Sequence, residues 1–223
     1  MSFAVSSIAY GAVDFSADVT TANFNLSAYE LLLIYMAGYF PSNSPNPTTV
    51  SGETLFLLSY ASATTTPNHI RIYTLHGMVY ADGVYNIKFW KADGVLTNPY
   101  VYHVIKVSGV NSSGLMGSGA TYTYSTNQTS SATSLSNTVT LSASPSLNVS
   151  AFAHLVNENI TIGSGFTNLT SVTRSSPNVS LRIGYLQDVG TAAATWATSS
   201  EAVSLGISLK TEQTIPPKKF IVL

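Results

Sequence analysis

The segment Thr66-Pro67-Asn68-His69-Ile70-Arg71-Ile72-Tyr73-Thr74-Leu75 has a second copy in the chain, Ser176-Pro177-Asn178-Val179-Ser180-Leu181-Arg182-Ile183-Gly184-Tyr185-Leu186. One residue is inserted after the asparagine, and the copies then align without a gap, so that Arg71 falls on Arg182. The copies are separated by about half of the 223 residues. Repeats of about 20 to 50 residues indicate solenoids or propellers, whereas a repeat of this length indicates two similar domains in series.

Both copies predict a turn followed by a half-buried strand. A proline, Pro67 or Pro177, presets the turn, and the asparagine after it, Asn68 or Asn178, tolerates turn geometry. The strand then alternates apolar and polar residues with the period of two expected when one face is buried. In the second copy the apolar face comprises Val179, Leu181, Ile183 and Tyr185, and the other face comprises Ser180, Arg182 and Gly184.

The matched arginines, Arg71 and Arg182, have two interpretations. In the first, they are solvated side chains on an outer face and reflect only the common origin of the two copies. In the second, they form a matched ion-pair or ligand site in both domains. We favour the first interpretation and keep the second open.

The chain carries few charges. Only 9% of its residues are charged, against roughly 25% in an average soluble protein, and serine, threonine, asparagine and 13 tyrosines take their place. The net charge of -1 provides no positive patch for phosphates, so direct nucleic-acid binding is not expected. Cysteine is absent, which excludes disulfides and cysteine-based metal sites. The sequence therefore predicts a neutral, hydroxyl-rich surface.

This composition suits a hot, acidic exterior. The chain has only 10 aspartates and glutamates, so it loses little stability when acid protonates them. Cysteine is also among the thermolabile residues that proteins of hot environments avoid. Unfolding between about pH 5 and pH 3 would contradict this hypothesis.

The sequence predicts neither an ordinary secretory signal nor a transmembrane segment. Its start, Met1 to Val5, lacks a basic region and an apolar block. The longest apolar run, Leu31 to Phe40, is about half of the roughly 20 residues that a spanning helix needs. We expect a chain that reaches an exterior by another route, such as assembly into a particle that is released by lysis.

Two segments are candidates for central strands. Leu31 to Ala37 is apolar at every position, whereas Leu147 to Leu155 alternates apolar with mostly polar residues. The first could be a short helix by periodicity alone, but its counterpart predicts a strand. Because a strand that is apolar on both faces is buried on both, the first domain should pack its extra face against something else. We expect a subunit interface there, formed by Leu31, Leu33 and Tyr35.

Composition divides the chain into three parts. Residues 1–110 form the first domain and 137–223 the second. Residues 111–136 are uncharged and rich in small polar residues, which is typical of a linker, although Thr121 to Tyr124 could be the first strand of the second domain. A second candidate interface lies in the C-terminal tail, which docks on its own subunit or adds a strand to a neighbour. It comprises Phe220, Ile221, Val222 and Leu223.

The sequence contains no motif that carries chemistry. It lacks a nucleophile elbow, a zinc-protease motif, a P-loop and a dinucleotide-binding glycine pattern. The histidines are scattered without ligand spacing, at positions His69, His76, His103 and His154. We therefore expect no enzymatic activity, no metal site and no cofactor.

Glycosylation signals are frequent. The sequon Asn-x-Ser/Thr occurs at Asn25, Asn111, Asn127, Asn148, Asn159, Asn168 and Asn178, mostly in the linker and the second domain. A chain rich in asparagine, serine and threonine also forms sequons by chance, and the two interpretations carry equal weight. Attached glycans would make the second domain the more exposed one and the first domain the packed base.

Many short strands, frequent turn signals and little helix-forming composition predict an all-β chain of two tandem antiparallel β-sandwiches. Together with the neutral Thr/Ser/Tyr surface, the missing cysteine and the sequons, this organisation resembles the turret proteins at the vertices of icosahedral archaeal viruses, in particular Sulfolobus turreted icosahedral virus, a virus of hot acid. The resemblance covers the whole chain and rests on organisation and composition, with no short diagnostic motif.

The resemblance implies two jelly-roll domains stacked outward from a capsid, with the first as the capsid-proximal base. It implies a structural virion protein on the particle exterior, part of the turret or spike at the five-fold vertices, which supports host attachment. The implied partners are four further copies in a homopentamer, a second turret protein, the penton base, the major capsid protein and host surface glycans or a receptor. It transfers no catalytic residue.

An alternative function is that of a carbohydrate-binding β-sandwich module of a phage tail or secreted protein. Its sugar platform would use Trp90 or Trp196 with nearby tyrosines. In a β-sandwich, however, tryptophan more often fills the core. This alternative predicts a soluble monomer that binds glycans, whereas the turret interpretation predicts a pentamer or tight contacts with other capsid chains.

Overall fold

The structure is a computed structural model that describes residues 3–14, 17–40, 48–49, 56–62, 70–79, 81–89, 99–110, 122–139, 146–163, 165–188 and 190–210. Within these ranges the chain is all-β, its strands pair antiparallel and it contains no helix. The predicted all-β class with antiparallel strands is therefore confirmed. The physical reason is that apolar and polar residues alternate over short segments bounded by turn residues, which favours strands over helices.

Within its described residues, the first half of the chain contributes ten strands. They are β1 (Ala4–Val13), β2 (Val19–Thr20), β3 (Phe24–Leu26), β4 (Leu31–Tyr39), β5 (Thr48–Thr49), β6 (Phe56–Ser62), β7 (Ile70–Met78), β8 (Gly83–Tyr85), β9 (Ile87–Phe89) and β10 (Tyr100–Ser108). The main sheet has the order β1-β10-β4-β7-β6, and two small sheets, β2-β9-β5 and β3-β8, accompany it.

The described part of the second half contributes seven strands. They are β11 (Tyr122–Thr138), β12 (Ser146–His154), β13 (Thr161–Ile162), β14 (Thr167–Asn168), β15 (Val172–Arg174), β16 (Val179–Gln187) and β17 (Thr191–Lys210). The sheet order is β11-β17-β12-β16-β14, with β13 on β17 and β15 on β16. The long β11 and β17 stay paired throughout, with register shifts between Thr129 and Ser134.

The two halves repeat one strand order. In each half the first strand pairs with the last, the last pairs with a central strand, and the central strand pairs with the strand that carries the sequence repeat. That repeat strand is β7 in the first half and β16 in the second. The sequence repeat therefore reflects a repeated topology and not a coincidence of composition.

A shared core lies between the two main sheets. From the first half it takes alternate residues of β4, such as Leu33 and Tyr35, and from the second half alternate residues of β12 and β17, such as Val149 and Leu205. Each main sheet therefore presents one apolar face to the other half. Burial of this face explains why β4 needs apolar residues at every position, since its opposite face is buried as well.

The stacking of the halves follows a pseudo-two-fold relation. Strand β1 contacts β15 and β6 contacts β11, while β4 contacts β16 and β7 contacts β12. In the repeated strand order β1 corresponds to β11, β4 to β12, β7 to β16, and β6 to β14 and β15, which both pair with β16. The β1–β15 contact is therefore equivalent to the β11–β6 contact, and the β4–β16 contact to the β12–β7 contact. The edge strands β1 and β11 consequently lie on opposite sides of the molecule.

The strand ends define two ends of the molecule. At one, which we call the terminal end, β1 and β11 begin and β10 and β17 finish. There the Gln187 amide donates to the Phe3 carbonyl over 3.0 Å. At the other, the loop end, the Ile70 amide donates to a Glu201 carboxylate oxygen over 2.9 Å. Hydrogen bonds thus join the halves at both ends of the shared core.

The structure corrects two expectations. Residues 125–136, predicted as linker, belong to β11, because their hydroxyl and amide side chains are compatible with a long edge strand beside β17. The alternative prediction, that the first strand of the second domain lies at Thr121 to Tyr124, agrees with β11 from Tyr122 onward. Of the predicted linker only 111–121 remain, and they lie outside the described residues. Leu31, Leu33 and Tyr35, predicted as a subunit interface, are fully buried in the shared core. The second half of the same chain covers them, so they are not exposed to another subunit.

Each half also has a core of its own on the other face of its main sheet. In the first half, Ile34 and Met36 of β4 pack with Phe89 and Tyr102. In the second half, Phe152 of β12 packs with small and aromatic side chains that include Ala194 and Trp196. The molecule is thus layered, with the shared core between two inner cores.

Candidate functional site

The repeated strands place both matched arginines on the face opposite the shared core. The Arg182 guanidinium donates to two backbone carbonyls, of Leu169 over 3.0 Å and of Ile160 over 2.6 Å, and burial lowers its pKa. Arg71 Nη1 contacts the Tyr73 hydroxyl at 3.4 Å. Arg182 therefore holds loops of the second half in place, so the favoured interpretation as a solvated side chain is wrong for it. Neither arginine forms an ion pair among the described residues. Pro67 and Asn68 lie outside the described residues.

The sequons separate into accessible and structural asparagines. Asn25, Asn159 and Asn178 are exposed. Asn127 is exposed as well, but its amide donates to the Ser136 carbonyl over 2.7 Å. Asn111 lies outside the described residues. A glycan can therefore be attached at Asn25, Asn159 or Asn178 without loss of a described hydrogen bond of the acceptor amide.

Two sequons serve the fold instead. Asn148 is fully buried, donates to the Gly190 carbonyl over 3.0 Å and accepts from the Ser150 hydroxyl over 3.0 Å. Asn168 donates to the Ile162 carbonyl and accepts from the Ile162 amide, so it mimics a paired strand residue. A glycan at either site would crowd the nitrogen that donates these bonds, and at Asn148 it would also place a sugar in the protein interior.

Asn159 and Asn178 belong to one surface at the loop end. The Ser180 hydroxyl, two residues after Asn178, donates to the Val156 carbonyl over 2.5 Å, and the Glu158 amide contacts the same hydroxyl at 3.3 Å. The loop that carries Asn159 is thereby fixed against the start of β16. Asn25 lies elsewhere, in β3 of the first half. This short strand comes just before β4, which begins at the terminal end.

Trp196 is a core residue rather than a sugar platform. It is 6% exposed, stacks on the His154 ring with centroids 5.0 Å apart, and donates from its indole nitrogen to the Ala132 carbonyl over 2.9 Å. Because it is buried, one ring face stacks on His154 and the indole N–H is hydrogen-bonded, it has little surface for a ligand. Trp90 lies outside the described residues.

The buried histidines are held neutral by their surroundings. Burial lowers the pKa of His103 to about 4, and its Nε2 lies 2.7 Å from the Ser7 hydroxyl. Burial also lowers the pKa of His154 to about 4, although the Glu158 carboxylate opposes the shift. Burial lowers the pKa of His76 as well. In the part of the chain that the structure describes, no group of three or more His, Cys, Asp and Glu side chains could hold a metal ion.

The matched edge tyrosines were missed by the sequence reasoning. Tyr10 in β1 and Tyr124 in β11 are among the exposed large side chains of the described residues. Tyr10 pairs with His103 and Tyr124 with Ile207, which are equivalent positions of the last strands. An alignment of the first strands of the halves could have revealed this match, but the low similarity of β1 and β11 conceals it. Phe220, Ile221, Val222 and Leu223 lie outside the described residues.

No protein-family model matches the sequence, and neither curated proteins nor solved structures show significant similarity to it. None of the described segments forms a helix that is long and apolar enough to cross a membrane. What the arrangement provides, then, is a layered β structure with accessible sequons at its surface and two edge strands on opposite sides.

Proposed function

We propose that this chain is a structural virion protein, part of the turret or spike at the five-fold vertices of an icosahedral archaeal virus. The observation that carries the proposal is the shared core. A large apolar interface between two similar sandwiches makes one stiff block, which suits an architectural role. The repeated strand order supports two jelly-roll domains, since jelly rolls pair first and last strands in this way.

The arrangement of the ends supports a defined orientation on the particle. Strands β1 and β11 begin at the terminal end and β17 finishes there, whereas Asn159 and Asn178 belong to the loop end. In our proposal the terminal end faces the capsid, the penton base and the second turret protein. The loop end then faces outward and supports host attachment, with glycans on its accessible asparagines. The capsid-facing part is thus an end of both halves, and not the first domain as a whole.

Native mass spectrometry of the full-length chain at about pH 4 and pH 7 tests the proposal. We expect a pentamer, or a stable complex with other vertex proteins when these are added. The same sample should be tested with a panel of oligosaccharides by thermal denaturation, which detects ligands that bind only the folded state. A monomer under all conditions that is stabilised by oligosaccharides would overturn the proposal and favour the carbohydrate-binding module.

The carbohydrate-binding alternative loses one of its two candidate platforms in the structure. Trp196 packs inside the second half, and its polar atom is satisfied by a backbone carbonyl. A platform at Trp90 stays a prediction. Substitution of Trp90 by alanine should leave the assembly state unchanged if the turret proposal is right, and should abolish glycan binding if the alternative is right.

A further inference from the structure

The strands at two edges of the molecule share an unusual surface. Strand β1 pairs only with β10, and the first part of β11 pairs only with β17, among the described strands. The ranges Ala4–Val13 and Tyr122–Thr138 contain neither a charged residue nor a proline. Edge strands of soluble proteins normally carry such residues, because an unprotected edge offers backbone groups for pairing with another chain.

Each edge also presents a tyrosine at the same structural position. Tyr10 is 53% exposed and Tyr124 is 57% exposed. The cross-strand row that begins at Tyr10 continues through His103 to Tyr35, and the row that begins at Tyr124 continues through Ile207 to Val149. Both tyrosines therefore lie at a rim of the shared core, on the sheet faces that meet the other half. A contact made through either tyrosine side chain would therefore extend the interface that already joins the two halves of the molecule.

We infer that the β1 edge of one copy contacts the β11 edge of the next copy, so that copies join side by side in a closed ring. The inference rests on the proposed function and adds the surface through which the copies assemble. Because the two edges lie on opposite sides of the molecule, contacts between unlike edges can be repeated from copy to copy. A fixed rotation between successive copies, as the five-fold arrangement of the proposed function requires, closes them into a ring with no edge left. Contacts between like edges would instead give alternating open chains.

A second copy is the occupant that these edges fit. The internal pseudo-two-fold relation makes the two edges similar in strand direction, uncharged character and tyrosine position. A strongly charged partner would find no complementary charge on either strand. Aromatic side chains are enriched and charged side chains are depleted in the core of protein interfaces, which fits the exposed tyrosines and the uncharged strands of both edges.

Charge placed on one edge at a time tests the pairing rule. Tyr10→Lys blocks the β1 edge and Tyr124→Lys blocks the β11 edge, because a lysine at the centre of an apolar contact is desolvated without a partner. We expect each variant alone to be monomeric, with an apparent dissociation constant raised at least about tenfold. A mixture of the two variants should form a 1:1 heterodimer, since one intact β11 edge then meets one intact β1 edge.

Tyr29→Lys is the matched control, because Tyr29 is 60% exposed but lies in a turn outside both edges. It should assemble like the natural sequence. Circular dichroism melting checks that each variant is folded, and the milder Tyr10→Ser and Tyr124→Ser should weaken assembly in the same direction. Native mass spectrometry and light scattering give the readout.

The outcomes separate the inference from the proposed function. Variants that assemble like the natural chain, or single variants that form homodimers, overturn the edge pairing and leave the proposed function standing. A natural chain that stays monomeric at about 100 µM overturns the edge pairing, and it also removes the homopentamer from the proposed function. Monomeric single variants that form a heterodimer on mixing support unlike-edge contacts.

Discussion

The central strands β4 and β12 hold the same place in their halves but face different interiors. Their register equates Ile34 with Asn148 and Met36 with Ser150, because Gly38 pairs with Arg71 and Phe152 with Arg182. The first half therefore fills its inner core with large apolar side chains. At the same depth, the second half uses hydrogen-bonded polar side chains.

On the opposite face the two strands agree. Leu33 and Tyr35 in β4, and Leu147 and Val149 in β12, all lie in the shared core. This difference between the faces shows which part of the repeat is constrained. The face between the halves must stay apolar because each half covers the other. An inner core can contain polar side chains, provided that it is well packed and its buried polar atoms are hydrogen-bonded.

The largest expected effect tests whether the shared core is one unit. Leu33→Ala and Leu147→Ala remove equivalent buried side chains, and each should lower the free energy of unfolding by about 2–5 kcal/mol. Both variants should unfold in a single transition in urea, followed by circular dichroism and fluorescence. Val84→Ala, at an exposed site, is the control and should change stability by less than about 0.5 kcal/mol. Two separate transitions would contradict a shared core.

The next prediction concerns how the free energy of unfolding depends on pH. It compares His103, on the shared-core face of the first half, with His154, in the inner core of the second half. Both have a pKa of about 4 when folded, below the ordinary value of about 6.5. Between these values the unfolded chain binds more protons, so the free energy of unfolding should fall as the pH drops from about 6.5 to 4 and level off below. Each histidine accounts for on the order of 3 kcal/mol.

Urea titrations at several pH values measure this dependence. His103→Gln and His154→Gln should each flatten the slope, and the double variant should remove most of it. An unchanged slope in the double variant would show that other groups control acid stability. The histidines also qualify the expected acid resistance, because the chain has few carboxylates to lose but buries imidazoles that acid must charge.

A smaller effect separates the two matched arginines. Arg182→Ala leaves the Ile160 and Leu169 carbonyls without their charged donor and should cost about 2–3 kcal/mol. Arg71→Ala loses one long contact to a hydroxyl and should cost less than about 1 kcal/mol. Thermal and urea unfolding of both variants makes the comparison. Equal losses would mean that the arginines play the same part in both halves.

The smallest expected change in stability tests the packing of each inner core against the last strand of its half, β10 or β17. Tyr102 of β10 and Gly206 of β17 are equivalent, and a Cβ atom on Gly206 would clash with Val139 Cγ2. Gly206→Ala should therefore destabilise the chain by about 1–3 kcal/mol. Adding Val139→Ala should relieve part of this loss, which a double-mutant cycle measures. Losses that simply add would exclude this contact as the cause.

Much of the local structure could be predicted because it depends on neighbours in sequence. The alternation in the second copy of the repeat predicted that Val179, Leu181 and Ile183 share one buried face, and they do. The apolar run in β4 predicted burial on both faces, which the structure confirms. The linker prediction was wrong over 125–136, because small polar residues suit an edge strand as well as a linker, whereas the alternative of a strand at Thr121 to Tyr124 agrees with the start of β11.

The sequence by itself determined the all-β class, the repeat and one buried face of the repeated strand, because turn residues and side-chain alternation act over a few residues. It did not show that the opposite face of β16 is covered as well, where Ser180 is fully buried. Only the tertiary structure decided that the second half covers Leu31, Leu33 and Tyr35, and that Asn148 and Trp196 lie inside while Asn159 and Asn178 lie outside. The physical reason is that burial of apolar surface has no direction. A sequence can therefore show that a face is buried, but the packing of distant strands decides what buries it.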